Sequence, residues 1–240
     1  MGFSRVVAVI GYKDSGKTAV VEDLVRELVK RGYSVGTVKH VGIPGFTIDQ
    51  EGRDTWRHAR AGAERVICVA GGEISAIERK KVKWEEIKQR LRDLDFFVLE
   101  GFKEVRGIAK VVVAKNKTEA EELLDRYVIG CVGAELEGLP SFSFDSMAEL
   151  ADLVEERAFP PPPGLDCGKC GFKKCDELAQ AIAKGERKWD SCVVLKKEKT
   201  VLIVDGIRIP LNPFVQDLIA NMVGALVSSL RGARGKRVLI

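Results

Sequence analysis

No apolar run in this chain reaches the roughly 18 residues that cross a membrane, and no signal-peptide pattern is present. Residues 201–230 are apolar-rich, but Asp205, Arg208, Pro210, Asn212 and Pro213 interrupt them. A cytoplasmic protein without a membrane partner is expected. Strong charge of one sign is also missing: 39 basic and 35 acidic residues leave a net charge of +4. That balance gives no bulk attraction for nucleic acid. The densest basic run, Arg79-Lys80-Lys81-Val82-Lys83, has no interleaved aromatic residue and is followed by Glu85 and Glu86. It reads as solvated surface, as do the basic stretches at 196–199 and 231–237. No internal repeat is visible. A hydrophobic content of 45% over 240 residues excludes a disordered chain and allows one large core or two domains.

What is present begins with Gly11-Tyr12-Lys13-Asp14-Ser15-Gly16-Lys17-Thr18, a complete G-x-x-x-x-G-K-T phosphate-binding loop. The apolar run 6–10 before it reads as a buried strand. The stretch 17–31 after it reads as a helix ending before Gly32. Strand, glycine-rich turn and helix start are the context the chemistry needs, because backbone N–H groups and the helix N-terminus cradle phosphates. Gly11, Asp14, Ser15, Gly16, Lys17 and Thr18 are the expected nucleotide-phosphate contacts. Lys17 would neutralise the β- and γ-phosphates, and the Thr18 hydroxyl would sit on Mg²⁺.

Such a loop needs a second acidic group for Mg²⁺ at the end of a buried strand. Phe96-Phe97-Val98-Leu99-Glu100-Gly101 supplies it. Glu100 ends the strand, whereas Asp95 begins it and should lie at the far edge. Residues 39–58 form a glycine-rich connection holding both histidines, His40 and His58. Asp49 is its candidate for Mg²⁺ or for orienting an attacking water. Lys17, Asp49 and Glu100 are therefore the expected catalytic set. Arg53 and Arg57 read either as anion contacts or as solvated helix charges. Base recognition is less legible: Ala114-Lys115-Asn116-Lys117 follows a strand but lacks the aspartate of an N/T-K-x-D guanine motif. Lys115 and Asn116 are the candidates there.

Strand patterns fall at 6–10, 34–39, 65–69, 74–78, 96–100, 109–114, 128–132 and 141–144. Helical patterns fall at 17–31, 54–61, 83–91, 118–124 and 146–156. This alternation, with several runs apolar throughout, predicts an α/β P-loop NTPase fold: a mostly parallel sheet covered by helices on both faces. Residues 74–78 follow Gly71-Gly72 closely enough to be an antiparallel hairpin arm. Four prolines at 160–163 suggest a stiff spacer. The expected division is a nucleotide-binding domain (1–158), a linker (159–164) and a small four-cysteine α+β domain (165–240). That last domain continues with a hairpin around Asp205-Gly206. A helix follows from Asn212 and Pro213 to about 230. Its apolar stripe reads as a core face, with a dimer or docking face as the alternative.

Three ordered blocks carry a resemblance. They are Gly11 to Thr18; then Lys39-His40, Gly45-Phe46, Asp49, Gly52-Arg53-Asp54-Thr55-Trp56-Arg57-His58 and Ala61-Gly62-Ala63; then Val98-Leu99-Glu100-Gly101-Phe102-Lys103. Together they resemble the MobB family of molybdopterin-guanine dinucleotide biosynthesis adaptors over about residues 4–157. The resemblance implies GTP binding with Mg²⁺, slow hydrolysis, a homodimer, and a molybdopterin nucleotidyltransferase or a molybdo- or tungsto-enzyme as partner. The chain departs from the family at Val41-Gly42-Ile43-Pro44, where further histidines and an acidic residue are usual.

Six cysteines in a reducing compartment are not expected to form structural disulfides. Cys68 and Cys131 sit in apolar strands and read as inert core residues. Cys167, Cys170, Cys175 and Cys192 have the spacing C-x₂-C-x₄-C-x₁₆-C. Four thiolates can hold a [4Fe–4S] cluster or, alternatively, zinc. The triplet with a distant fourth cysteine favours iron–sulfur. The segment 165–193 also resembles the small [4Fe–4S] module of carbon monoxide dehydrogenase/acetyl-CoA synthase corrinoid subunits. Two other functional classes stay open. One is an NTPase for metal insertion or electron transfer into another metalloenzyme. The other is a small-molecule kinase, which would need an arginine-rich lid that is not evident.

Overall fold

The computed structural model describes residues 3–196, 199–204 and 207–229. These form the strands β1 (Arg5–Ile10), β2 (Val35–Lys39), β3 (Arg65–Ala70), β4 (Glu73–Glu78), β5 (Phe96–Glu100), β6 (Ala109–Val113), β7 (Val128–Val132), β8 (Ser141–Phe142), β9 (Leu202–Val204) and β10 (Ile207–Ile209). The α-helices are α1 (Lys17–Lys30), α2 (Asp54–Arg60), α3 (Trp84–Arg90), α4 (Lys117–Glu121), α5 (Met147–Arg157), α6 (Cys175–Ala183), α7 (Val193–Lys196) and α8 (Pro213–Ser228). The chain divides into two compact units, Met1–His40 with Lys88–Ile240, and Val41–Ile87.

The first unit is built on a parallel sheet ordered β2-β5-β1-β6-β7-β8. Its inner strands are buried along almost their whole length, as the apolar runs of β1, β5 and β7 require; Lys110 is the one charged residue buried within β6. Helix α1 buries Val20, Val21, Leu24 and Leu28. Helix α5 buries Met147, Leu150, Ala151, Leu153 and Val154. Both contribute to the core formed by the strands. The Arg31 guanidinium ties the two helices together, reaching Asp152 at 2.6 Å and Glu155 at 2.8 Å. The second unit pairs β3 with β4 as an antiparallel hairpin, from Arg65 opposite Glu78 to Ala70 opposite Glu73.

Three expectations change. The proline segment does not separate two cores. Phe159 is buried, its carbonyl accepts the Val6 N–H at 3.1 Å, and Leu178, Ala179 and Ile182 of α6 join the same core as the sheet. The division of the chain falls instead around the 41–87 unit. Helix α8 is not a core helix: Gln216 is its one buried residue, and Phe214, Leu218, Met222 and Leu226 face solvent. Cys68 is exposed, because β3 is half of a two-stranded ribbon with little cover; Cys131 is buried as expected. The Asp205-Gly206 turn lies outside the described residues, although β9 and β10 pair antiparallel on either side of it.

Tyr127, the residue before β7, is tied to α6 by a hydrogen bond from its hydroxyl to Asp176, which also accepts from Gln180 at 2.6 Å. Burial, then this bond to a carboxylate, pushes the Tyr127 hydroxyl up to about 12. The folded state therefore favours the neutral phenol. That stabilisation is complete below the unfolded value of 10 and is lost as pH rises toward 12. Tyr127→Phe is expected to cost about 1–2 kcal/mol at neutral pH. It should also flatten the fall in stability above pH 10, measured by urea denaturation across pH.

Candidate functional site

The phosphate loop joins β1 to α1. Asp14 and Gly16 adopt positive φ values of 60° and 96°. Those turns curl the backbone so that successive N–H groups can converge on an anion. No side chain caps α1, so its first N–H groups remain for a ligand. The Ser15 hydroxyl is buried beneath the loop without a partner. Gly11 leaves room for it, since a Cβ there would lie 2.6 Å from Ser15 Oγ. Lys17 folds over the loop and its ammonium donates to the Tyr12 carbonyl. Burial lowers the Lys17 pKa, while Glu100 nearby opposes that shift.

Glu100 ends β5 beside the loop. Its Oε1 accepts from the Thr18 hydroxyl at 3.0 Å and from the Lys39 ammonium at 2.8 Å. Parallel register explains the meeting: Glu100 lies opposite Val9 of β1 and Lys39 of β2, so all three strands deliver their ends to one edge. The adjoining Gly101 donates its N–H to the Val9 carbonyl at 2.9 Å. His40 donates its backbone N–H to the Glu100 carbonyl at 3.0 Å, and its ring lies 5.4 Å from that of Phe102. Asp95 is at the opposite end of β5, accepting from the Ser34 hydroxyl at 2.7 Å. Lys17, Thr18, Lys39 and Glu100 thus share one site.

Asp49 belongs to the separate 41–87 unit. There its Oδ1 accepts from the Thr55 hydroxyl at 2.8 Å and the Gln50 N–H at 3.0 Å. Its Oδ2 is buried without a partner. Arg57 pairs with Asp54 at 3.7 Å within α2. Of the base candidates, Asn116 is spent locally: its side chain caps α4 by accepting the Glu119 N–H at 2.9 Å. The backbone N–H of Lys115 is held by Glu119 Oε2 at 3.1 Å. Two contacts were not legible from the motif. One is the Tyr12 hydroxyl bonded to Glu122 at 2.6 Å; the other is the packing of Phe144 against the loop.

Cys167, Cys170, Cys175 and Cys192 line a single cavity with Phe172 and Leu178 among its apolar walls. All four are free thiols. Among the described residues no three metal-binding side chains converge tightly enough to hold one ion. Cys175 starts α6. Its sulfur accepts the Asp166 N–H at 3.4 Å, and its own N–H donates to Asp166 Oδ1 at 2.7 Å. Burial raises both the Cys175 and Cys192 thiols. Backbone hydrogen bonds from Asp166, Leu165 and Gly164 to Cys175, and from Leu195 and Val194 to Cys192, oppose that rise. Four thiols around one apolar cavity, two of them met by backbone donors and one at a helix start, fit an iron–sulfur centre.

Comparison with known proteins adds two family matches. Residues 6–133 match the family "MobB: Molybdopterin guanine dinucleotide synthesis protein B". Residues 163–194 match the family described as "Putative Fe-S cluster". A relative from Methanocaldococcus jannaschii, named "Putative molybdopterin-guanine dinucleotide biosynthesis adapter protein", is 31% identical over 240 residues, covering 98% of this chain and 95% of its own. The molybdopterin-guanine dinucleotide biosynthesis adapter protein of Haemophilus influenzae is 34% identical over 130 residues, 52% of this chain and 71% of its own. The crystal structure of Bacillus subtilis MobB superposes with a TM-score of 0.54 at 29% identity, covering 63% of this chain and 96% of that one.

Proposed function

Because the chain belongs to the MobB family of molybdopterin guanine dinucleotide synthesis proteins, we propose that it is a GTP-binding, slowly hydrolysing adapter in molybdenum or tungsten cofactor biosynthesis, with a [4Fe–4S] centre on its C-terminal segment. The observation that carries the nucleotide half is the meeting of Thr18 and Glu100 at 3.0 Å beside the phosphate loop. The backbone from Gly11 to Thr18 cradles the phosphates, and Lys17 swings from the Tyr12 carbonyl to the β- and γ-phosphates. Thr18 and Glu100 hold Mg²⁺, which supplies charge neutralisation on those phosphates when bound. Asp49 is the candidate in its own unit for Mg²⁺ or the attacking water; there Thr55 holds its Oδ1, and its Oδ2 is buried without a partner. Cys167, Cys170, Cys175 and Cys192 hold the cluster.

The partner in this reading is the nucleotidyltransferase that joins GMP to molybdopterin, or the molybdo- or tungsto-enzyme that receives the cofactor, and the adapter acts as a homodimer. Anaerobic co-purification from the native host tests it. The expected result is a complex of two adapter chains with a molybdopterin nucleotidyltransferase or a molybdo- or tungsto-enzyme, carrying guanine nucleotide and iron. Recovery with a nickel- or corrinoid-enzyme maturation factor would instead favour the metal-insertion reading. Cys167 and Cys170, only partly covered on the cysteine cavity, keep that second reading in view.

A further inference from the structure

The nucleoside end of the triphosphate has no assigned site, and strand order narrows where it lies. The phosphate loop leaves β1 at the middle of the sheet. On one side stand β5 and β2, whose ends carry Glu100 and Lys39. On the other stand β6, β7 and β8. With the metal end of the phosphates drawn toward Thr18 and Glu100, the ribose and base extend over the carboxyl ends of β6 to β8, where open α/β sheets bind ligands.

Phe144 stands there, in the turn between β8 and α5. Its ring lies across two glycines. A Cβ on Gly16 of the phosphate loop would fall 2.9 Å from Phe144 Cε1, and one on Gly133, just after β7, 3.0 Å from Phe144 Cε2. Both positions lack side chains where the ring needs the space. Phe144 nevertheless stays 45% exposed, so it is wedged at one edge and open on the rest. The polar side chain nearest in sequence to a base-reading motif, Asn116, is committed to capping α4.

We propose that Phe144 is the stacking platform for the purine base of the bound nucleotide. The proposal rests on the nucleotide reading above and names its base subsite. Stacking on an aromatic face tolerates any base, because every base has a π-face. Phe144 therefore holds the base in place, and the choice of guanine over adenine falls to other groups.

The test titrates full-length protein with GTP and, separately, with inorganic tripolyphosphate, which has the phosphates but no base. Phe144→Ala is expected to weaken GTP binding about tenfold or more and leave tripolyphosphate unchanged. Phe144→Trp should keep GTP affinity. Equal weakening for both ligands would make the ring a support for the loop and overturn the proposal. So would an unchanged GTP affinity, or a base-dependent loss found in Tyr12→Ala instead. A wild-type chain that binds neither ligand would overturn the nucleotide reading itself, and the proposal with it.

Discussion

Lys17→Ala is expected to abolish measurable nucleotide binding, with a loss of at least about a hundredfold in GTP affinity by calorimetry with Mg²⁺ present. The loop's backbone can orient phosphates, but within it Lys17 is the ammonium positioned to neutralise them. Hydrogen bonds to charged groups contribute about 1.5–3 kcal/mol, and 1.4 kcal/mol is tenfold in affinity. In the protein itself Lys17 does little else. Its ammonium bonds one carbonyl, that of Tyr12, at the surface. The thermal midpoint should therefore stay close to the parent value, which separates a lost ligand from a lost fold. Glu100→Gln should behave differently. It keeps an acceptor for Thr18 and Lys39 but removes the charge that Mg²⁺ needs, so binding should lose its Mg²⁺ dependence more than its basal strength. A Lys17→Ala protein that binds GTP like the parent would place the phosphates elsewhere.

The two parts of that site differ in how plainly the sequence displays them. The phosphate loop is local: eight consecutive residues with a strand before and a helix after. Glu100 was legible because an apolar strand has a direction, and a residue at its end reaches the ligand edge of a parallel sheet while Asp95 at its start does not. Phe144 was not legible. Nothing in Ser143-Phe144-Asp145 marks it, and its significance comes from Gly16 and Gly133, which are distant in sequence and meet only when β6, β7 and β8 line up in that order beside β1. Asn116 has a local role that the motif comparison does not display, since an Asn before Lys117-Thr118-Glu119 is also a good helix cap.

Burial was the harder inference. The apolar stripe of α8 satisfies a core pattern, yet periodicity states only that a face is apolar, not that something covers it. Cys68 shows the same limit: an apolar strand with antiparallel pairing to one neighbour leaves its side chains open. Four consecutive prolines suggest a stiff spacer. They lie beside a buried Phe159 whose carbonyl pairs with β1, so stiffness here fixes the cysteine segment onto the main core rather than setting it apart.

That anchoring shapes the second large effect. Cys175→Ala is expected to remove the cluster entirely, with iron and sulfide falling from near four per chain to near zero and the visible absorption of a thiolate-bound iron–sulfur centre lost. Three remaining thiols leave one iron without its protein ligand. Cys175 is the one of the four that opens α6, and the Asp166 N–H meets its sulfur at 3.4 Å. Metal binding free energy becomes folding free energy only for the parts the metal organises. Helix α6 should survive, because Leu178, Ala179 and Ile182 are held in the main core regardless of metal. Segment 164–174 has weaker support: Leu165, Cys170 and Phe172 pack against that core but are only half-buried, and Gly164, Asp166, Gly168, Lys169, Gly171, Lys173 and Lys174 are exposed. The apo variant should therefore stay folded and keep its GTP affinity, while limited proteolysis opens the chain between residues 164 and 174 many times faster than in the iron-loaded parent. Cys68→Ser and Cys131→Ser should leave iron content unchanged. Full iron in Cys175→Ala would exclude this ligand set, and zinc in place of iron in the parent, with no visible absorption, would exclude the cluster.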